Sequence, residues 1–250
     1  MRLDQLLHHK GHFPSREKAR RAVMAGSVLV DGQRVDKPGT PTAESARLEV
    51  LAGEPFVSRA GRKLAGALDA FGLDPAGWTC LDVGASTGGF TDCLLQRGAS
   101  RVVALDVGYG QLDMGLRNDP RVRVMERVNA RKLQPDDLDE RFDLITVDVS
   151  FISLTKVVPA LLPFLRTDGL LLPLIKPQFE AGRREVGKGG IVRDESTRRR
   201  VVDQRIANLE ALGLEPLDSM DSVLSGSRGN REVLALFRHA PRTGAGAADG

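Results

Sequence analysis

The stretch CLDVGASTGGFTD, residues 80–92, reads as a strand, a glycine-rich turn and the start of a helix. In an open parallel sheet, such a turn at a strand's carboxyl end is where ligands bind. Gly84, Gly88 and Gly89 let backbone approach a ligand and present N–H groups at a helix N-terminus. The spacing is G-x-x-x-G-G, which fails the dinucleotide pattern G-x-G-x-x-G, and no G-K-[S/T] follows for a nucleoside triphosphate. With Asp82 just before the first glycine, it suits S-adenosyl-L-methionine. Asp82 is expected to orient the methionine amine through ordered groups. The turn itself, Gly84, Ala85, Ser86, Thr87, Gly88, Gly89 and Phe90, is expected to receive the carboxylate. Asp106 follows Asp82 by 24 residues, near the spacing of a ribose-binding acid at the next strand end. Its carboxylate can accept from both ribose hydroxyls. Asn129, after a third strand, is placed to read an adenine edge.

A second group of residues has the types for proton handling. A fourth strand ends at Asp148, which also borders the donor site, and a fifth ends at Lys176. A last strand, expected to run antiparallel, opens with Glu232 at the same rim. Lys63 lies between Ala60 and Ala67 at helical spacing, on the edge of an apolar stripe, where it either snorkels to solvent or reaches into a cleft. Two lysines and two acids beside a methyl donor suit activation of a hydroxyl. A hydroxyl is a poor nucleophile until its proton is taken or stabilised, and a lysine desolvated near other cations has the depressed pKa for that work. Glu180, in the glycine-rich stretch after Lys176, is expected in a substrate-side loop.

The elements that must hold these residues fall in two segments. Residues 1–54 read as two short helices, the second starting at Arg16 behind a Ser15 cap, then a hairpin around Asp31-Gly32 and one more strand. From about Phe56, strands alternate with helices. Strands are expected near 79–83, 101–107, 122–127, 142–147, 169–175, 216–223 and 232–238, with helices at 58–71, 88–97, 110–117, 153–165 and 195–212. That alternation implies a mostly parallel sheet covered on both faces. Residues 55–239 form this domain, and 240–250 read as a flexible tail.

Composition sets limits. The chain has 250 residues, 28% charged and 41% hydrophobic, with net charge +3. No stretch approaches the roughly 20 apolar residues that span a bilayer. The first residues show no apolar signal region, so a cytoplasmic setting is expected. Cys80 and Cys93 supply neither a disulfide framework nor a metal cluster, and no metal is expected. Residues 1–37 hold eight Lys/Arg against four acids, a modest footprint for phosphate. Arg2, Arg16, Lys18, Arg20 and Arg21 are the expected RNA contacts.

Longer motifs carry a resemblance. RLDQLLHHKGHFPSREKARRAVMAGSVLVDGQRV resembles an S4 RNA-binding domain. VSRAGRKLAGAL, CLDVGASTGGFTDCLLQRGA, VVALDVGYGQL, DVSFISL, IKPQFEAG and GNREVLALF resemble the TlyA family of ribosomal-RNA ribose 2′-O-methyltransferases, historically labelled hemolysins. The resemblance implies a Rossmann-like class I methyltransferase of the FtsJ type, with a seven-stranded, mostly parallel sheet behind a small α+β S4 domain. It implies a Lys-Asp-Lys-Glu tetrad, falling on Lys63, Asp148, Lys176 and Glu232, and a cytidine in 16S or 23S rRNA on ribosomal subunits as substrate. The residues alone leave ribose against base, and ribosomal against transfer RNA, open. They do lack the Asn/Asp-Pro-Pro-aromatic strand end of exocyclic-amine methylation, and neither cysteine sits where cytosine-carbon methylation needs a nucleophile. The competing readings are a membrane-active hemolysin, a noncatalytic RNA-binding protein on a methyltransferase fold, and a small-molecule methyltransferase.

Overall fold

The computed structural model describes residues 1–24, 26–51, 55–182, 185–226 and 229–239. The expected tail, 240–250, lies outside them. Contacts divide the chain into two units after Pro55.

In the first unit, α1 (Leu3–His9) and α2 (Arg16–Met24) pack on a three-stranded sheet of β1 (Val28–Val30), β2 (Gln33–Arg34) and β3 (Leu48–Val50), in the order β2-β1-β3. Ser15 caps α2, its Oγ accepting from Lys18 N at 3.3 Å. Asp31 and Gly32 both have positive φ, 50° and 80°, as the type I′ hairpin turn requires. The small core is Leu3, Leu7, Ala19, Val23 and Val28.

The second unit starts with α3 (Ala60–Ala70) and continues through β4 (Thr79–Val83), α4 (Gly89–Gln96), β5 (Arg101–Leu105), α5 (Met114–Arg117), β6 (Val122–Met125), β7 (Phe142–Val147) and α6 (Val158–Leu161). It ends with β8 (Leu165–Ile175), α7 (Pro177–Glu180), α8 (Glu195–Glu210), β9 (Leu214–Asp221) and β10 (Val233–His239). The sheet order is β6-β5-β4-β7-β8-β10-β9. β4 to β8 run parallel, and β10 is antiparallel to both β8 and β9. The seven-stranded, mostly parallel sheet expected from the sequence is therefore present.

Strand alternation builds two cores. Odd-numbered residues such as Leu81, Val83, Val103, Ile145 and Leu171 enter one cluster with α6 and α8. Even-numbered residues such as Cys80, Val102, Leu144 and Leu172 enter the other with α3 and α4. Burial on both faces explains the near-continuous apolar runs of these strands.

Several elements differ from the sequence expectation. The helix expected over 153–165 is broken into Leu154–Lys156, α6 and Leu162–Phe164, because Pro159 and Pro163 each begin a new turn. The helix expected over 110–117 shrinks to α5, capped by Asp113, whose carboxylate accepts from Gly115 N at 2.7 Å. β8 starts four residues before the expected Gly169 and pairs Leu165 with Phe142. Pro173 lies inside β8, and the pairing with β10 skips Leu172 and Pro173, where the proline has no N–H to donate.

Candidate active site

Register brings the chemistry to one edge. Val83 pairs with Leu105 and Val147, so Gly84, Asp106 and Asp148 emerge level at the carboxyl ends of β4, β5 and β7. Val233 pairs with Ile175, so Glu232 stands across from Lys176.

Gly84 is the tightest point. Its φ is +86°, and a Cβ there would lie 2.4 Å from the Asp148 carbonyl oxygen. Only glycine allows the first strand to turn this close to the fourth. The turn is then fixed by Asp106, whose Oδ2 accepts from Ser86 N at 2.8 Å and Oδ1 from Gly108 N at 2.6 Å. Asn129 Oδ1 accepts from Arg131 N, capping a short turn and leaving its amide nitrogen for a ligand.

Two adjoining cavities open here. One, about 500 Å³, is bordered by Asp106, Val107, Gln111, Asn129 and Phe151. The other, about 460 Å³, is bordered by Arg59, Lys63, Ala85, Thr87, Phe90 and Lys176. Gly84, Ser86, Asp148 and Ser150 border both. Gly88 and Gly89 border neither. They pack against Leu116 and Ser58 and set how α4 lies on its neighbours.

Asp82 is enclosed. Its side chain is fully buried between β4 and α4, where Oδ2 accepts from Thr91 N and Oγ1 at 2.9 and 2.7 Å, and Oδ1 from Thr146 Oγ1 at 3.1 Å. It supports the turn from beneath and borders the lysine-bearing cavity, so any hold on a ligand amine runs through the groups it fixes. Burial pushes its carboxyl up to about 6, against the three hydrogen bonds that favour its charge.

The two lysines each have a carboxylate. Lys63 Nζ donates to Glu232 Oε2 at 2.6 Å, with both side chains largely buried. Lys176 Nζ lies 2.6 Å from Asp148 Oδ1 and donates to Ser150 Oγ at 3.0 Å. Each lysine is held by a carboxylate rather than set against another cation, so the acids of the rim fix the lysines in place. Asp148 Oδ1 is close to the ammonium but has no well-angled hydrogen bond among the described residues. Glu232 is closed in by Gln178, which donates to its Oε1 at 3.2 Å, and by Gly226, where a Cβ would meet Oε1 at 2.0 Å.

Sequence reasoning missed Ser150, Gln178 and Gly226, because nothing in their own spacing marks them. It also missed Phe151, which is 90% exposed at φ +63° with its ring 4.8 Å from that of Phe179. An apolar ring that exposed, in a backbone conformation that non-glycine residues avoid, is the kind of strained feature found at binding sites. Glu180 is corrected: its side chain is 2% exposed and sits inside the fold, not in a substrate-side loop. Cys80 and Cys93 are fully buried, and burial pushes both thiols up, Cys93 to about 12. Neither offers a thiolate nucleophile.

In the first unit, Arg2, Arg16, Arg20 and Lys37 border a groove of about 810 Å³. Buried Asp4 receives Arg2 Nε at 3.0 Å and Arg16 Nε at 2.9 Å. Lys18 and Arg21 are exposed outside that groove.

A mostly parallel sheet with a glycine turn, a ribose-type acid and a lysine–carboxylate rim defines a class I methyltransferase behind a small basic unit. Residues 56–239 match the FtsJ-like methyltransferase family and residues 1–47 the S4 domain. A relative from Mycobacterium tuberculosis, named 16S/23S rRNA (cytidine-2′-O)-methyltransferase TlyA, is 46% identical over 95% of this chain and 89% of its own. Hemolysin A of Brachyspira hyodysenteriae is 43% identical over 95% of this chain and 99% of its own. A solved hemolysin-like protein from Streptococcus thermophilus superimposes with TM-score 0.76 at 41% identity, covering 96% of this chain and 88% of that one. The chain belongs to the TlyA family of FtsJ-like methyltransferases. Its cofactor is S-adenosyl-L-methionine. The residues present fit that group, since the Gly84 approach, Asp106 and Asn129 line a nucleoside-sized cavity that runs into the lysine-bearing one.

Proposed function

We propose that this chain methylates the 2′-hydroxyl of a cytidine ribose in 16S and/or 23S ribosomal RNA, acting in the cytoplasm on ribosomal subunits. The observation that carries the reading is the pair of lysine–carboxylate contacts at the mouth of the cavity shared by Gly84, Ser86, Asp148 and Ser150. The names of the relatives support the substrate.

Asp106 and Asn129 would hold the nucleoside end of the cofactor, and Gly84, Ala85, Ser86, Thr87 and Phe90 its methionine end. Bound there, S-adenosylmethionine supplies an electrophilic methyl group. The chain's own residues prepare the acceptor. Asp148, which borders both cavities, takes the proton of the ribose hydroxyl, and Lys176, held by Asp148 and Ser150, stabilises the oxygen as that proton leaves. Lys63, fixed by Glu232, adds a second cation to the same rim. With both reactants held, positioning supplies much of the rate.

The test uses S-adenosylmethionine labelled in its methyl group, with isolated 30S and 50S subunits. The expected product is label in RNA that survives base removal and blocks alkaline cleavage at one cytidine. Label released with a free base would refute the ribose assignment.

A further inference from the structure

Two turns carry the groups proposed above to act on the hydroxyl. One follows β7 and holds Asp148, Ser150 and Phe151; the other follows β8 and holds Lys176 and α7. They meet at Lys176–Ser150 and at the Phe151–Phe179 rings. Beneath that contact, away from the cavities, lies Glu180. Its Oε1 accepts from Leu154 N at 2.8 Å, at the far end of the first turn. Its Oε2 lies 2.9 Å from Arg205 Nε on α8, with side chains 2% and 11% exposed. Arg205 also reaches the Glu180 carbonyl oxygen at 3.4 Å.

Stability alone does not explain this arrangement. Burying a carboxylate and a guanidinium costs desolvation that an ion pair at best offsets, and apolar residues of similar size often do as well. Neither the Glu180 Oε2 nor the Arg205 Nε has a well-angled hydrogen bond among the described residues, so the pair is not an optimised one. What the carboxylate supplies that an apolar side chain lacks is the directed bond to Leu154 N, beside a polar contact with the Ser153 side chain of the same turn. That bond joins the two active-site turns through the core.

The geometry points to Glu180 as a positioning residue for methyl transfer: anchored by Arg205, it latches the Asp148–Leu154 turn to the Lys176–Glu180 turn and so sets the spacing of Asp148, Ser150 and Lys176. The inference rests on the proposed role of Lys176 and Asp148. Glu180 touches no reactant, and the donor turn at 84–90 hangs from other strands. The turn after β7 also borders the nucleoside cavity, so loss of the latch lowers kcat by more than it weakens S-adenosylmethionine binding.

The test compares two double variants of the full chain on ribosomal subunits, beside Lys176→Ala. Glu180→Leu with Arg205→Leu removes both buried charges, which keeps the protein folded, but also removes the acceptor for Leu154 N. Glu180→Gln with Arg205→Gln keeps an oxygen there. The leucine pair is expected to melt within a few degrees of wild type and to lose about tenfold or more in kcat, well beyond any loss of cofactor affinity. The glutamine pair is expected to recover most of that loss. A leucine pair with wild-type kcat, or a glutamine pair as slow as the leucine pair, overturns the latch. A Lys176→Ala variant of full activity refutes the underlying catalytic reading instead. If the leucine pair fails to fold, the comparison of kcat for Glu180→Gln and Glu180→Ala at a temperature where both are folded decides, with equal values overturning the proposal.

Discussion

At the scale of single residues, the site is built from charges that satisfy one another before any substrate arrives. Lys176 and Lys63 are each held within 2.6 Å of a carboxylate oxygen, so their positions are set in the folded protein and little reorganisation remains for the reaction. Lys176→Ala is expected to lower kcat by about 10²–10⁴-fold, while calorimetric binding of S-adenosylmethionine is retained. Full activity in that variant sinks the assignment. Asp82 makes a different kind of prediction. Its folded pKa, raised by burial to about 6, stands above the ordinary 3.8, so the folded state holds this proton more tightly than the unfolded one. The stability it contributes is fully present below its unfolded pKa and is lost as pH rises through its folded pKa. In urea denaturation, the stability of Asp82→Asn relative to wild type should therefore improve as pH rises from 3.8 to about 6. A difference that stays constant across that window counts against it.

At the scale of elements, turns rather than helices decide function. The β4–α4 turn works because Gly84 passes within van der Waals reach of the β7 end, at a φ that other residues adopt at a cost of about 1–3 kcal/mol. Gly84→Ala should weaken S-adenosylmethionine binding by about tenfold or more, on that same cost, measured by titration calorimetry. Unchanged affinity would show that the turn does not hold the cofactor. The turn after β7 presents Phe151 to solvent at the rim of the cavity. An exposed ring there suits stacking on a base of the acceptor nucleotide, an interaction worth about 1–3 kcal/mol. Phe151→Ala is expected to raise KM for ribosomal subunits by more than it weakens cofactor binding. A variant with wild-type KM would remove the ring from substrate recognition.

At the scale of the whole molecule, a net charge of +3 is too small to drive RNA binding. The groove of the first unit sets Arg2, Arg16, Arg20 and Lys37 beside Asp4, Glu17 and Asp36, and its arginines are the proposed RNA contacts. Reversing Arg16 and Arg20 to Glu should weaken RNA binding and flatten its dependence on salt, since fewer counterions are released. Equal affinity and slope in filter binding would place the RNA contacts elsewhere. One relative is named a hemolysin, and among the described residues no helix is long and apolar enough to cross a membrane. Purified protein is expected to leave dye-loaded liposomes intact. Leakage that persists in Lys176→Ala would mean a membrane activity separate from methyl transfer.

Much was legible in the sequence because it was written locally. A strand, a glycine turn and a helix are adjacent in the chain, so the 84–90 turn, Asp106 and Asn129 could be placed from spacing, and so could the sheet with its antiparallel last strand. Strand ends bearing Asp148 and Lys176 needed only the rule that ligands gather at one sheet edge. Tertiary structure alone decided which way side chains point and what they meet. Asp82 differs from Asp106 only in where it stands relative to its strand end. One residue inside β4 turns it under α4, and one residue beyond β5 leaves Asp106 open to a cavity. The pairing of Lys63 with Glu232, 169 residues apart, follows from α3 lying over a sheet whose last strand returns antiparallel. Glu180 turned inward because α8, placed far along the chain, carries Arg205 to meet it. Contacts between segments so distant in sequence leave no period or spacing to read, since their geometry exists only once the sheet has closed its register.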